Sequence, residues 1–391
     1  MSDVVIVGAK RTAIGSFLGQ FTGLPTPALG SAAIAGALAQ SGLAADQVDE
    51  VIMGCVLPAG LGQAPARQAM RAAGIPDAAG ATTVNKVCGS GMKAVMLAHD
   101  IIKAGSAKAV VAGGMESMTN APHLLNGSRT GVRYGSAEFL DHMAFDGLTN
   151  PYDGKAMGVF GDAACAKYGY DRAAIDAFSA ESARRAQAAQ AAGAFAAEIV
   201  PVTVKTRKGE LVVDKDEEPG KIDLNKIPEL RPAFGKDGVL TAASSSKISD
   251  GAAALVVMSA DAAAAAGAKP LARIVAHATH SQAPEWFTTA PVAAVQSVLA
   301  KAGWKVADVD LFEVNEAFAC VAMAPMSDLG IPHEKLNVNG GALALGHPIG
   351  CSGARLLVTL IHALQARGGR RGVASLCIGG GEATALAIEL A

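Results

Sequence analysis

The sequence predicts an α/β protein of two similar halves, the first interrupted by a loop-rich insertion. Three observations predict it. Short apolar runs alternate with Ala-rich stretches of helical period, one order of features occurs twice, and the alternation lapses between Gly114 and Ser249. The runs Val4–Val7, Val48–Met53 and Ala109–Ala112 have the length and continuous hydrophobicity of strands buried on both faces. Thr26–Gln40 and Met92–Lys103 fall between them as helices, and this βαβ rhythm indicates parallel sheet.

The repeat is explicit. Val48-Asp49-Glu50-Val51 resembles Val309-Asp310-Leu311-Phe312. Ser90-Gly91-Met92-Lys93, 42 residues past Val48, is answered by Ser352-Gly353-Ala354-Arg355, 43 past Val309. Each turn opens a helix leading to a strand that ends in glycines, Ala109–Gly114 and Val373–Gly381. The closing strands Gly251–Val257 and Glu382–Ile388 match as well, and so many features in one order favour duplication over shared composition. Where the rhythm lapses the chain is richer in charge, Gly and Pro, as in Asp214-Lys215-Asp216-Glu217-Glu218-Pro219-Gly220, with one helical segment near Arg172–Ala192. That insertion reads as a lid over a site. The expected division is 1–118 with 249–268 as the first half, 119–248 as the loop domain and 269–391 as the second half.

Bulk properties narrow the function. Of 391 residues, 51% are hydrophobic and 17% charged, which implies large buried surfaces. No run approaches the roughly 20 apolar residues that cross a bilayer, and Met1–Val7 lacks the basic segment and long apolar core of a secretion signal. A cytoplasmic protein with no membrane partner is expected. A net charge of -2 without a dense basic run argues against nucleic acid as a partner. The cysteines Cys55, Cys88, Cys165, Cys320, Cys351 and Cys377 are scattered, with no C-x-x-C pair, so no disulfide scaffold and no metal site are expected.

Four stretches could carry chemistry. In Asn85-Lys86-Val87-Cys88-Gly89-Ser90-Gly91-Met92 a cysteine stands at a helix N-terminus, where free N–H groups and the helix dipole are expected to lower a thiol's pKa. Gly89 and Gly91 would let a substrate approach the backbone, although the turn could equally pack two helices around a buried thiol. In the second, Gly346-His347-Pro348, an imidazole in a glycine-dense loop is suited to act as a base or to hydrogen-bond a carbonyl. The third, Cys377-Ile378-Gly379-Gly380-Gly381, ends a strand in backbone N–H groups, and ligands of α/β sheets lie beyond such ends. The fourth, Glu313-Val314-Asn315-Glu316, follows another strand and is compatible with an ordinary helix start. Brought together where the halves join, they offer two thiols, an imidazole, an amide and free N–H groups, a set suited to covalent acyl chemistry on a thioester.

These residues resemble the thiolase family along the whole chain, from Arg11-Thr12-Ala13-Ile14-Gly15 through Val84–Met92 and Val314–Phe318 to Gly346–Gly350 and Cys377–Gly381. The resemblance implies a thiolase-like five-layered αβαβα core of two halves plus an inserted loop domain, usually assembled as a homotetramer. Pro122–Leu125 through Asp146–Leu148 is similar to the family's tetramerisation segment. It implies no permanently bound cofactor, with acetyl-CoA, acetoacetyl-CoA and CoA as partners, and reversible condensation of two acetyl-CoA. By position, Cys88 corresponds to the acylated nucleophile, His347 to its base and Cys377 to the residue that takes a proton from the second acetyl-CoA. Asn315 corresponds to the residue that fixes a water, and the N–H groups of Cys88 and Gly379 to an oxyanion hole. Met157, Phe234, Ala242, Ser246, Ala317 and Phe318 are the implied CoA contacts.

Four departures from the family pattern stand out. Ala156 replaces a usual histidine, Lys247 a usual glycine, Phe287-Thr288-Thr289-Ala290 a stretch that commonly holds a Met-Gly pair before Pro291, and Glu382 a small residue. All are expected near CoA or the acyl chain, where they bear on substrate preference. A degradative 3-ketoacyl-CoA thiolase of broader chain length is the alternative, and a non-catalytic acyl-CoA or lipid binder the alternative of another class. A ketoacyl synthase is disfavoured by Cys377 where a second histidine would stand, and an NAD-dependent oxidoreductase by the incomplete glycine fingerprint.

Overall fold

The computed structural model of the protein describes residues 2–207 and 209–391. In the first half, strand β1 (Val4–Thr12), helix α1 (Thr26–Ser41), β2 (Glu50–Gly54), α2 (Pro65–Ala72), β3 (Gly80–Val84), α3 (Ser90–Lys103) and β4 (Ala109–Ser117) follow in order. The insertion carries α4 (Met157–Tyr168) and α5 (Arg172–Ala191), after which β5 (Ser249–Ser259) completes the half. The second half has β6 (Ala272–Ser281), α6 (Ala290–Ala302), β7 (Leu311–Val314), α7 (Ala319–Leu329), α8 (Ile349–Arg367), β8 (Arg371–Ile378) and β9 (Glu382–Leu390).

The strands run in the order β7-β8-β9-β6-β1-β5-β4-β2-β3. Read outward from the β6–β1 junction, the halves are the same: β1-β5-β4-β2-β3 against β6-β9-β8-β7, with a bridge between Phe312 and Leu336 where β3 has its counterpart. The duplication seen in sequence is thus a duplication of topology. The parallel sheet expected from the βαβ rhythm is present in part. β2, β3 and β4 are parallel, as are β7 and β8, but β5 and β9 run against their neighbours. The reason is connection length: β9 follows β8 after only Gly379–Gly381, and so short a turn can join only antiparallel strands. The insertion also holds more order than its composition suggests. It contains α4 as well as α5, and its Ile199 and Val200 lie parallel to Arg11 and Thr12 as an added strand.

The halves meet edge to edge where Val5 and Ile6 pair with Arg273 and Ala272, and both fold over a shared central layer. Val5 and Val7 face α1 and α2, whereas Val4 and Ile6 face inward toward α3 and α8. Strands of the second half pack outward on α6 and α7. The layers are therefore α, β, α, β, α. Helix α8 is the only described helix long and apolar enough to cross a membrane, and 89% of its apolar stretch is buried inside the protein. A helix with sheets on both sides has no wet face, and every residue from Ile349 to Leu364 is buried.

The repeated Ser-Gly pairs mark where α3 and α8 cross. A Cβ on Gly91 would lie 2.8 Å from the Ala354 nitrogen, and one on Gly353 would overlap Met92. Gly91 therefore admits a helix and not a substrate, and Gly89 likewise faces Ile378, which corrects the expectation for both glycines.

Candidate active site

The turn before α3 is built from its own side chains. Asn85 Oδ1 accepts the Val87 N–H at 2.9 Å; Ser90 Oγ accepts the Lys86 N–H at 2.8 Å and donates to the Val87 carbonyl at 2.6 Å. Val87 is held at φ 46°, the left-handed region that a β-branched side chain disfavours by about 1–3 kcal/mol. That kink sets half-buried Cys88 at the head of α3, against the small apolar cluster that includes Ile349 and Met118. The N–H groups of Gly379 and of Cys88 itself are directed at the sulfur. Burial nevertheless outweighs them and pushes the thiol up to about 11. The expectation of a lowered value is overturned: a helix terminus does not compensate the loss of water around sulfur here, and ionisation requires a base.

His347 is that kind of group. Its backbone N–H donates to the Lys247 carbonyl at 3.0 Å, and its Nδ1 lies 2.6 Å from Ser352 Oγ. The Ser352 hydroxyl donates to the Pro348 carbonyl at 3.0 Å, so it accepts from Nδ1–H and leaves the Nε2 lone pair available. Burial, and then the charge of Arg355, lower the imidazole to about 3, so His347 rests neutral. Asn315 follows β7 and lies against the ring, its Nδ2 3.4 Å from Nε2, while its buried Oδ1 has no protein partner. Cys377 lies next to the end of β8, fully buried, and burial together with the nearby Cys88 raises its thiol well above the ordinary value. Gly379–Gly381 then turn into β9, and Met157 packs over Gly379.

A cavity of about 270 Å³ opens beside His347, lined by Met157, Phe234, Ser246, Phe318, Leu148 and Ile349 among others. Four implied CoA contacts thus share one wall. Ala317 and Ala242 stand behind it: Ala317 accepts the Ser246 N–H at 3.0 Å, and Ala242 accepts from the Lys247 ammonium. The departures divide. Ala156 and Lys247 line the cavity, whereas Phe287 is buried against Phe160 and Glu382 pairs with Lys86, so neither of the last two lines it. A wider depression of about 570 Å³ between α5 and α7 contains none of these residues.

Some supporting residues escaped the sequence reading. Glu116, buried at the end of β4, accepts N–H groups of Val56, Leu57 and Gly350 at 2.9–3.1 Å, and burial pushes it up to about 7. Asn337 replaces a missing strand neighbour, accepting the Val314 N–H at 2.9 Å and donating to the Val314 carbonyl at 2.8 Å, which fixes the approach to Asn315. The available signal was polarity inside apolar runs, Glu116 above all. Away from the site, His99, Asp100 and His277 cluster between α3 and β6, with the Asp100 carboxylate 2.8–2.9 Å from a nitrogen of each ring, a spacing already satisfied as hydrogen bonds.

Comparison with known proteins now bears on this arrangement. Residues 4–261 match the family described as "Thiolase, N-terminal domain" and residues 268–390 match "Thiolase, C-terminal domain". An acetyl-CoA acetyltransferase of Chromobacterium violaceum is 51% identical over 389 residues, 99% of each chain, and one of Cupriavidus necator is 50% identical over the full 391 residues of both. The crystal structure of the Bacillus anthracis acetyl-CoA acetyltransferase superposes with a TM-score of 0.97 at 39% identity, covering 100% of this chain and 99% of that one. By both its sequence and its architecture, the chain belongs to the thiolase family.

Proposed function

We propose that the protein is an acetyl-CoA C-acetyltransferase that reversibly condenses two acetyl-CoA into acetoacetyl-CoA and CoA through an acyl-cysteine. The observation that carries this reading is the meeting of Cys88, Cys377 and the Gly379 N–H beside a cavity walled by neutral His347. The names of the half-identical, full-length relatives support acetyl-CoA as substrate.

Each group has a physical task. A thiol raised by burial is a poor nucleophile at neutral pH, so Nε2 of His347 takes the Cys88 proton as sulfur attacks the acetyl carbonyl, and CoA leaves as the thiol, with the proton of Cys377. The N–H groups of Cys88 and Gly379 hold the oxygen of the acyl-enzyme, a contribution of typically 10²–10³ in rate per donor. Cys377, now a thiolate made strongly basic by burial, removes a methyl proton from the second acetyl-CoA; the carbanion attacks the acyl carbonyl, and the displaced Cys88 sulfur recovers its proton from His347. The enolate oxygen needs fixed donors, supplied by His347 and by a water held on Asn315. Met157, Phe234, Ser246 and Phe318 seat the pantetheine arm, flanked by Ala242 and Ala317.

The same reading makes the enzyme cytoplasmic, without a resident cofactor, and a dimer of dimers. Exposed Tyr134, Phe139 and Phe145 in the loop domain support assembly through that segment, which light scattering tests. The activity itself is tested by thiolysis of acetoacetyl-CoA with CoA, compared with 3-ketoacyl-CoA of six carbons and more. Rapid cleavage of the C4 substrate with slow cleavage of longer ones is expected, and comparable rates at every length would replace the assignment by the broader degradative thiolase. Iodoacetamide should inactivate the enzyme at Cys88, and acetyl-CoA should protect it.

A further inference from the structure

Lys86 and Glu382 form an ion pair across the two loops that meet at Cys88, and no chemical step above uses either of them. The loops run against each other in three successive contacts. Gly89 is pressed on Ile378; a Cβ on Gly379 would lie 3.5 Å from Val87 Cγ1; Lys86 and Glu382 close the series. Cys88 sits inside it, with one N–H from each loop directed at its sulfur.

Both members of the pair are themselves anchored. The Lys86 N–H is held by Ser90 Oγ at 2.8 Å, and Glu382 Oε1 accepts from Ser281 at 3.1 Å while Oε2 meets the lysine. Neither residue lines the substrate cavity. Only one residue, the strained Val87, separates Lys86 from Cys88, so a displacement of Lys86 is passed directly to the nucleophile and its N–H.

We propose that Lys86 and Glu382 are a positioning pair that fixes the distance between the two N–H donors around the Cys88 sulfur. The inference rests on the reaction assigned above, in which those donors hold the acyl oxygen. A pair left partly open to solvent adds little stability, so its effect falls on the rate. Deleting a donor typically costs 10²–10³ in rate; here the donors are displaced and not deleted, so the loss should be smaller, about tenfold.

The test is steady-state thiolysis of acetoacetyl-CoA by Lys86→Met, Glu382→Ala, Lys86→Arg and the exchange Lys86→Glu/Glu382→Lys, with a melting curve for each. The two single losses should lower kcat about tenfold and leave KM within about twofold. Lys86→Arg should keep most of kcat, and the exchange should recover most of it. Wild-type kcat in both single variants, a loss confined to KM, or an exchange no better than the worse single variant would overturn the proposal. If a single variant fails to fold, Lys86→Arg and the exchange still decide the matter. Failure of the wild-type protein to cleave acetoacetyl-CoA overturns the underlying reaction instead, a distinct result.

Discussion

The two halves share one topology and divide the chemistry unequally. In the first, the helix that enters the central layer is preceded by a kinked turn carrying Cys88; in the second, the matching position before Ser352 is Gly350, which carries no side chain. Conversely, β8 carries Cys377 next to its last residue and β7 leads into Asn315, whereas β4 carries Glu116 next to its last residue and β2 leads into Cys55. Glu116 is spent on holding three backbone N–H groups, one of them Gly350 of the other half. The lesson is that duplication supplies geometry twice and chemistry once. In the proposed reaction one half presents the nucleophile, the other the groups that move its protons.

Breaking that division should cost most at the nucleophile. Cys88→Ser should reduce thiolysis about 10³-fold or more, while the half-buried site keeps the melting curve close to wild type; substantial residual turnover would break the comparison at its centre. Next is His347→Asn, expected to lower kcat by about 10²–10⁴ as the loss of a general base. The same variant sharpens the electrostatics. His347 is held at about 3 against an ordinary 6.5, so the stability it contributes is present above pH 6.5 and is lost as pH falls toward 3, with a slope of up to about 1.4 kcal/mol per unit. Denaturant midpoints between pH 6.5 and pH 4.5 should therefore fall less steeply in His347→Asn than in the wild type.

A smaller effect is expected at the tie between the halves. Glu116→Gln keeps one acceptor oxygen for three N–H groups and should cost about 1–3 kcal/mol for each left unpaired. It also has a sign of its own. A carboxyl raised to about 7 favours the fold below pH 4.5 and loses that contribution as pH rises through 7, so the variant's stability should depend less on pH in that window. Phe234→Ala, on the cavity wall, should raise the KM for CoA several-fold with kcat little changed. The least effect belongs to the insertion: Asp171→Ala removes the side chain that caps α5 by accepting the Ala174 N–H at 2.8 Å, and should cost about 1 kcal/mol without altering kcat.

The sequence made the repeat legible because matching strand and helix starts leave matching residues, as at Ser90-Gly91 and Ser352-Gly353. The candidate groups were legible because a thiol or imidazole among glycines is conspicuous. Strand direction was not, since β5 and β9 have the same apolar composition whichever way they run. The state of Cys88 was not legible either: a helix terminus is visible in sequence, but the desolvation that outweighs it depends on what the other half lays over the sulfur. Ser352 was visible as part of the repeat, yet its hold on His347 requires the turn of helix that separates them.

The central layer has a consequence for folding. Until α8 docks, α3 has nothing to cross at Gly91, and the sulfur at its head lacks Gly379 and Cys377 from the other half. The surroundings that raise the Cys88 thiol are therefore made only by the two halves together, which couples the reactivity of the site to the docking of one half on the other.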